Sequence, residues 1–269
     1  MTEEHLETGP GYSLIETADL ALITLNEIPS EPGLTAASLQ ALPVVIQRVG
    51  AVPGRKFLVI RGEKGIFCRG ASTNLIRVAV DEPDSSMRSE LVNRVQRVVW
   101  AVLESPLMTV SFVNGLAAGP GAELGIACDI TFADAAARVA LWYNRLNILP
   151  DMGLFLLEDV IGSRAALRAV MTGAVWMKDD LVRLGFADPL EDAPSTAEEW
   201  RKILVRRFRH SPLAYAAAKR IRIESRRPLW DTELAQIRVR QTERLSDPEL
   251  RERLERTLAM QMLATAVKE

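Results

Sequence analysis

An α/β fold with a helical C-terminal part is predicted from three features of the 269-residue sequence. Strand-like and helix-like segments alternate from the start as far as Arg145, the pattern of an α/β core. Beyond that point the remaining signals are helical. The length suits one large domain, or one domain with an appended piece, and can bury a substantial core.

The elements follow from the pattern in order. Residues 13–26 read as two short strands joined at Ala18-Asp19, the second, Leu20 to Leu25, strongly apolar. Leu39, Leu42, Ile46 and Val49 then recur at helical spacing, although Pro43 among them removes a donor and favours a kink. Lys56 to Arg61 is a buried-strand candidate and Gly62 to Gly70 a loop. The clearest helix spans 84–104, with Met87, Leu91, Val95, Val98 and Val102 on one apolar face and Trp100 in the core. Ser105-Pro106 stops it, and Leu107 to Val113 is the next strand. Asn114-Gly115 turns the chain into LAAGPGAELGIAC, a loop entering a buried helix, followed by short strands at Asp129 to Ala133 and Val139 to Leu141. Farther on, Ser163 reads as the N-cap of a helix over 164–172 and Gly185 as a C-terminal stop.

Composition narrows the function. With 33 Lys+Arg against 35 Asp+Glu, the net charge of −2 argues against a general nucleic-acid binder. Cys68 and Cys128 form no CxxC pair and, with only two histidines in the chain, argue strongly against a Cys/His metal site, leaving only carboxylate sites. A Ser-His-Asp triad would need His5, in a terminal tail, or His210, in an arginine-rich run. The acidic start lacks the apolar core of a signal peptide, and Glu123 and Asp129 interrupt the apolar stretches before they reach spanning length. A cytoplasmic protein with neither nucleic acid nor membrane as partner is expected.

The run Gly119-Pro120-Gly121-Ala122-Glu123-Leu124-Gly125 follows a strand and opens a helix. Its spacing is one residue too long for a dinucleotide fingerprint, and proline stands where backbone must approach a pyrophosphate. A helix N-terminus built from small residues instead favours negative charge, such as an oxyanion developing on a carbonyl. Glu123 is the charged residue in this otherwise apolar helix. It is either a functional carboxylate or a solvated first-turn glutamate that suits the helix dipole.

Three stretches together resemble the enoyl-CoA hydratase/isomerase (crotonase) superfamily. Gly65-Ile66-Phe67-Cys68-Arg69-Gly70-Ala71-Ser72 is similar to the family's AF-[CS]-x-G-x-D loop. Val113-Asn114-Gly115, Gly119 through Leu124 and Cys128-Asp129 are similar to VNG-x-x-x-GGG-x-E-L followed by CD. Ala137 to Gly162 resembles the strand, I/L-P loop and helix that come next. Met171-Thr172-Gly173 and Gly185-Phe186-Ala187-Asp188 echo later signatures, so that most of residues 12–190 match in order.

The resemblance implies a stacked ββα spiral core over residues 1–195 and a helical oligomerisation region over 196–269, assembled as a homotrimer or homohexamer. It implies a small-molecule acyl-CoA or related carbonyl substrate, with CoA as part of the substrate and no separate cofactor or metal. Two backbone N–H groups of the family stabilise an enolate. The first falls at Ala71; the second falls at Pro120, which has no N–H, leaving Gly121 as the neighbouring donor. Losing one oxyanion donor typically costs about 10²–10³ in kcat. Of the family's two glutamates, one matches Glu123 and the other falls at Tyr143, a poor base at neutral pH but a competent hydrogen-bond donor or acid. Asp151, after Pro150, stands where some family isomerases carry a proton-shuttling aspartate, and equally where a helix cap would stand. Trp142 falls beside the acyl pocket. The family's G-x-D aspartate is Ser72, and its N-A-[LM] segment is replaced around Pro32-Gly33-Leu34.

Three functions remain in competition. The first is hydration or isomerisation by Glu123 with Asp151 or Tyr143 as partner and Ala71 as donor. The second is a CoA-independent branch, either a diketone C–C hydrolase or a decarboxylase. The third is a non-catalytic acyl-CoA-binding paralogue, suggested by Pro120 and Tyr143. The bases between Arg201 and Arg227 read as a solvated face balanced by acids such as Asp247 to Glu255, with CoA phosphate binding as the minority reading.

Overall fold

The structure, a computed structural model, describes residues 5–63, 65–208 and 212–256. Its elements in order are β1 His5–Gly9, β2 Tyr12–Glu16, β3 Leu20–Leu25, α1 Ala36–Gly50, β4 Phe57–Gly62, β5 Ile66–Cys68, α2 Thr73–Asp81 and α3 Ser85–Glu104. Then come β6 Met108–Val113, β7 Leu116–Ala118, α4 Pro120–Ala127, β8 Ile130–Ala133, β9 Arg138–Ala140, α5 Tyr143–Leu146, α6 Gly153–Ile161 and α7 Ser163–Thr172. The chain continues through β10 Val175–Met177, α8 Lys178–Arg183, β11 Asp188–Pro189, α9 Ala197–Arg207 and α10 Pro212–Leu245.

The strands form two sheets, one of seven in the order β1-β2-β3-β4-β6-β8-β11 and one of four in the order β10-β9-β7-β5. From β3 to β11 the large sheet is parallel, and β5, β7 and β9 run parallel in the small one. Each of the pairs β4–β5, β6–β7 and β8–β9 therefore gives one strand to each sheet before the chain enters helix, which is the stacked ββα spiral.

The corner between paired strands explains the Asn114-Gly115 motif. Asn114 Oδ1 accepts from the Gly62 N–H at 3.0 Å and its Nδ2 donates to the Gly62 carbonyl at 2.9 Å, so one amide fixes the next corner of the spiral. Gly115 has φ +148°, and a Cβ there would lie 1.8 Å from the Gly65 carbonyl oxygen. Only glycine allows that approach.

Alternation along the buried strands splits the core in two. Ala21, Ile23, Leu58 and Ile60 face the large cluster that α1, α3 and α4 also enter. Leu20, Leu22, Phe57, Val59, Val110, Phe112 and Phe132 face the other way, where Trp200 and Leu204 of α9 cover them. Trp200 is fully buried, its ring edge-on to Phe112 at 5.4 Å between centroids. Helix α10 packs against α3, and its Lys219 reaches back to the sheet. The Lys219 Nζ lies 2.8 Å from Asp129 Oδ2, which also accepts from the Thr109 N–H and hydroxyl.

Several expectations change in detail. Met87 is 55% exposed rather than in the core, because the inward face of α3 runs through Val92, Val95, Val99 and Val102. Trp100 is half-buried, edge-on to Trp230 at 5.9 Å and beneath the Arg227 guanidinium. Ser163 is the first residue of α7 and Gly162 its cap, while Leu116–Ala118 pairs as a strand before α4 begins. His5 starts β1 instead of lying in a tail, and His210 falls outside the described residues. The bases of 201–227 find other acids than those expected: Arg201 pairs Glu198, Arg207 pairs Asp188, Arg222 and Arg226 share Asp159, and Arg227 pairs Glu104. Asp247, Glu249 and Glu252 instead pair Arg244, Arg253 and Arg256. Among the described residues no helix is long and apolar enough to cross a membrane.

The Lys219–Asp129 pair tests the tie between α10 and the sheet. Lys219→Met leaves the partly buried Asp129 with only the Thr109 donors, with an expected loss of about 1–3 kcal/mol in urea unfolding, partly recovered when Asp129→Asn is added. A loss of well under about 1 kcal/mol would show that the pair behaves like an exposed one.

Candidate active site

The resemblance-derived positions converge on the N-terminal end of α4. A Cβ on Gly70 would lie 2.5 Å from the Ala118 carbonyl oxygen and 3.1 Å from Pro120 Cδ, so the strand end carrying Ala71 is pressed against the turn into α4. Ala71 itself bridges Leu34: the Leu34 N–H donates to the Gly70 carbonyl and the Ser72 N–H to the Leu34 carbonyl. That arrangement leaves the Ala71 N–H without an acceptor among the described residues. Gly119 turns the chain at φ +50°, ψ −129°, a conformation that L side chains resist. Pro120 then opens α4 with its fixed φ and no donor, as suits a first helical position. The next N–H along, that of Gly121, also has no acceptor among the described residues.

One turn into α4, Glu123 is fully buried, not solvated. Its Oε1 accepts from the Tyr143 hydroxyl at 2.5 Å and from the Asp151 N–H at 2.9 Å, and its Oε2 from the Met152 N–H at 2.8 Å. The two amides precede α6, so the carboxylate sits where the helix presents unpaired N–H groups. Burial raises the Glu123 carboxyl above the ordinary glutamate range, and the Tyr143 hydroxyl and these amides offset only part of that rise. Tyr143, 3% exposed, is itself held well above the usual phenol range, by burial first and then by the Glu123 charge. It is therefore a neutral donor committed to Glu123.

Asp151 is 5% exposed, and its carboxyl makes no hydrogen bond among the described residues. It does not cap α6, whose N-cap is Met152 without a side-chain bond. Burial, and then the neighbouring Glu123 charge, raise the Asp151 carboxyl well above the ordinary carboxylate range. Two carboxyls in one buried site compete for ionisation. Glu123 receives three donors and Asp151 none, so of the two carboxyls Glu123 is the better stabilised as an anion and Asp151 the more strongly raised.

Trp142 lies beside Tyr143, half-buried, with the Arg145 guanidinium 4.0 Å above its ring. Ser72, at the family's aspartate position, is buried and caps α2 through the Leu75 N–H, donating its hydroxyl to Glu31 at 2.7 Å. Burial raises both the Cys68 and the Cys128 thiol to about 12, as inert buried thiols require. Among the described residues no group of three or more His, Cys, Asp or Glu side chains could hold a metal ion.

Two contributors escape the sequence reading. Gly153 lets α6 approach the carboxylate, since a Cβ there would lie 3.1 Å from Glu123 Cγ and Oε1. A glycine three residues after Pro150 at a helix start is a signal that could have found it. The Met152 N–H is the other, and a backbone donor leaves no trace in side-chain identity.

Comparison with known proteins agrees with this architecture. Residues 16–254 match the enoyl-CoA hydratase/isomerase family. Ethylmalonyl-CoA decarboxylase of Rattus norvegicus is 30% identical over 207 residues, covering 72% of this chain and 68% of that protein. Probable enoyl-CoA hydratase EchA14 of Mycobacterium tuberculosis is 29% identical over 179 residues, covering 66% of this chain and 68% of that one. Among solved structures, enoyl-CoA hydratase from Bacillus halodurans superposes with TM-score 0.79 at 23% identity, over 94% of this chain and 98% of that one. An enoyl-CoA hydratase/isomerase from Mycobacterium paratuberculosis gives 0.82 at 19%, over 93% and 100%. With the ββα spiral, the apposed Ala71 and Pro120 turns and the buried Glu123, this chain belongs to the enoyl-CoA hydratase/isomerase (crotonase) family.

Proposed function

We propose that the protein decarboxylates an alkylmalonyl-type acyl-CoA thioester, with Asp151 as the acid that protonates the resulting enolate. The observation that carries this reading is the unequal pair: Glu123 holds three hydrogen-bond donors, and the adjoining buried Asp151 holds none. Hydration needs a free carboxylate to deprotonate water. Glu123 is fully engaged, and Asp151 keeps its proton, so the site is suited to giving a proton rather than taking one.

The steps balance simply. The carboxylate of the substrate leaves as CO₂, and the electrons of the broken C–C bond enter the thioester as an enolate. The Ala71 N–H and the N-terminal end of α4, with its Gly121 N–H, face the developing oxyanion in place of the donor absent at Pro120. Asp151 delivers its proton to the α-carbon and is reprotonated from solvent. Glu123 stays ionised throughout, and burial together with the Glu123 charge keeps Asp151 protonated. The similarity to ethylmalonyl-CoA decarboxylase is compatible with this reading, as the similarity to EchA14 is with hydration, so the carboxyl pair carries the reading. A homotrimeric or homohexameric cytoplasmic enzyme is the proposed assembly.

The test is CO₂ release from ethylmalonyl-CoA and methylmalonyl-CoA beside hydration of crotonyl-CoA. Decarboxylation is expected to dominate and Asp151→Asn to lower its kcat by about 10²–10⁴-fold. Faster hydration of crotonyl-CoA, or full turnover by the variant, would overturn the assignment.

Stability carries an independent signature. A carboxyl whose folded pKa is raised stabilises the fold while protonated, and that contribution is lost as pH rises from the ordinary carboxylate value near ~4 through the raised folded value. Asp151→Asn removes the dependence, so the Tm of the variant relative to the parent should climb between mildly acidic and mildly alkaline pH. A difference independent of pH would show that Asp151 is not the protonated member.

A further inference from the structure

The segment that carries the site between Tyr143 and Met152 has little regular structure of its own. After the four-residue α5 the chain passes Asn147, at φ +56°, and runs without helix or strand to the start of α6. Pro150 has no N–H to contribute, so the backbone groups of Leu149 need partners from elsewhere.

One side chain supplies both. The Leu149 N–H donates to Gln241 Oε1 at 2.9 Å, and Gln241 Nε2 donates to the Leu149 carbonyl at 3.1 Å. Gln241 is 5% exposed, in α10, the helix packed along α3. One turn earlier Arg238 donates to the buried Gln96 of α3 at 3.0 Å, and one turn later Leu245 enters a cluster with Leu250, Leu254 and Val92. Leu146 and Ile148 pack against that same cluster. Arg253 donates to the Asn144 and Arg145 carbonyls, so the C-terminal helices hold the segment at both ends.

Two residues beyond Leu149 stands Asp151, whose N–H, with that of Met152, binds Glu123. We infer that Gln241 is a positioning residue: its two-point bond to Leu149 fixes the backbone that sets the Asp151 carboxyl and the amides on Glu123. The inference rests on the decarboxylase reading for its kinetic consequence, but not for its structural one. Neither bond touches substrate, so loss of Gln241 should impair the chemical step and leave binding intact.

The experiment compares Gln241→Leu, which loses both bonds, with Gln241→Glu, which keeps the acceptor for the Leu149 N–H and loses the donor. Arg240→Ala, on the exposed side of α10, is the control. With ethylmalonyl-CoA as probe, kcat should fall by up to about 10²-fold in Gln241→Leu, the scale on which misplacement of a catalytic group acts, and by less in Gln241→Glu. KM should be unchanged in both. Amide hydrogen exchange should accelerate at Leu149, Asp151 and Met152 in Gln241→Leu, with β4 and β6 unaffected. Unaltered exchange in this segment, or a raised KM with kcat preserved, would overturn the inference. If the parent protein does not turn over malonyl thioesters, the functional reading falls and the exchange result alone decides the role of Gln241; should Gln241→Leu not fold, Gln241→Glu carries the same comparison.

Discussion

The rest of the site depends on a carboxylate buried at a helix N-terminus. Glu123 enters from α4 and is met by the two amides just before α6 and by the Tyr143 hydroxyl. An ionised carboxylate out of water is tolerable only when such donors surround it. The constraint runs outward from there. A side chain at Gly153 would crowd Glu123, Tyr143 must be buried within reach, and the segment between α5 and α6 must hold its amides in place. Burial and then the same charge raise the neighbouring Asp151, so one buried arrangement both organises the loop and prepares its acid.

Two amide side chains do equivalent work at different levels of the fold. Asn114 grips both backbone groups of Gly62 and sets the corner between sheets, while Gln241 grips both backbone groups of Leu149 beside the site. In each case the loop cannot satisfy its own peptide groups, and a single planar amide matches an N–H and a C=O together. The first clamp belongs to the spiral core. The second arrives from α10, which joins the helical C-terminal part to the chemistry.

How much of this the sequence disclosed depended on the kind of interaction involved. Alternating and helical apolar patterns placed β3, β4, β6 and α3 within a residue and marked the buried face of α1, because burial selects residue types directly. The family motifs located Ala71, Glu123, Tyr143 and Asp151, and the structure brings the last three together. What the sequence left undecided at Glu123 was a matter of solvation, since a first-turn glutamate looks the same buried or exposed. The ion pairs of the 201–227 bases were also illegible, because long side chains choose partners by three-dimensional proximity, as Arg222 and Arg226 do at Asp159. Gln241 lies 92 positions from Leu149, and no local pattern announces such a contact. Met87 was misplaced because the first turns of α3 run past the packed core, where no residue before Val92 is buried, and an apolar repeat does not show where the core ends.

The central claim is a division of charge, with Glu123 ionised and Asp151 protonated at neutral pH. Infrared difference spectroscopy of the carboxyl C=O stretch tests it most directly, comparing the parent protein with Asp151→Asn and Glu123→Gln at neutral pH. A protonated-carboxyl band present in the parent and lost in Asp151→Asn is the predicted result, with Glu123→Gln lowering the Asp151 pKa and so weakening the band without abolishing it in acid. A band that vanishes with Glu123→Gln and persists in Asp151→Asn would assign the proton to Glu123 and contradict the account.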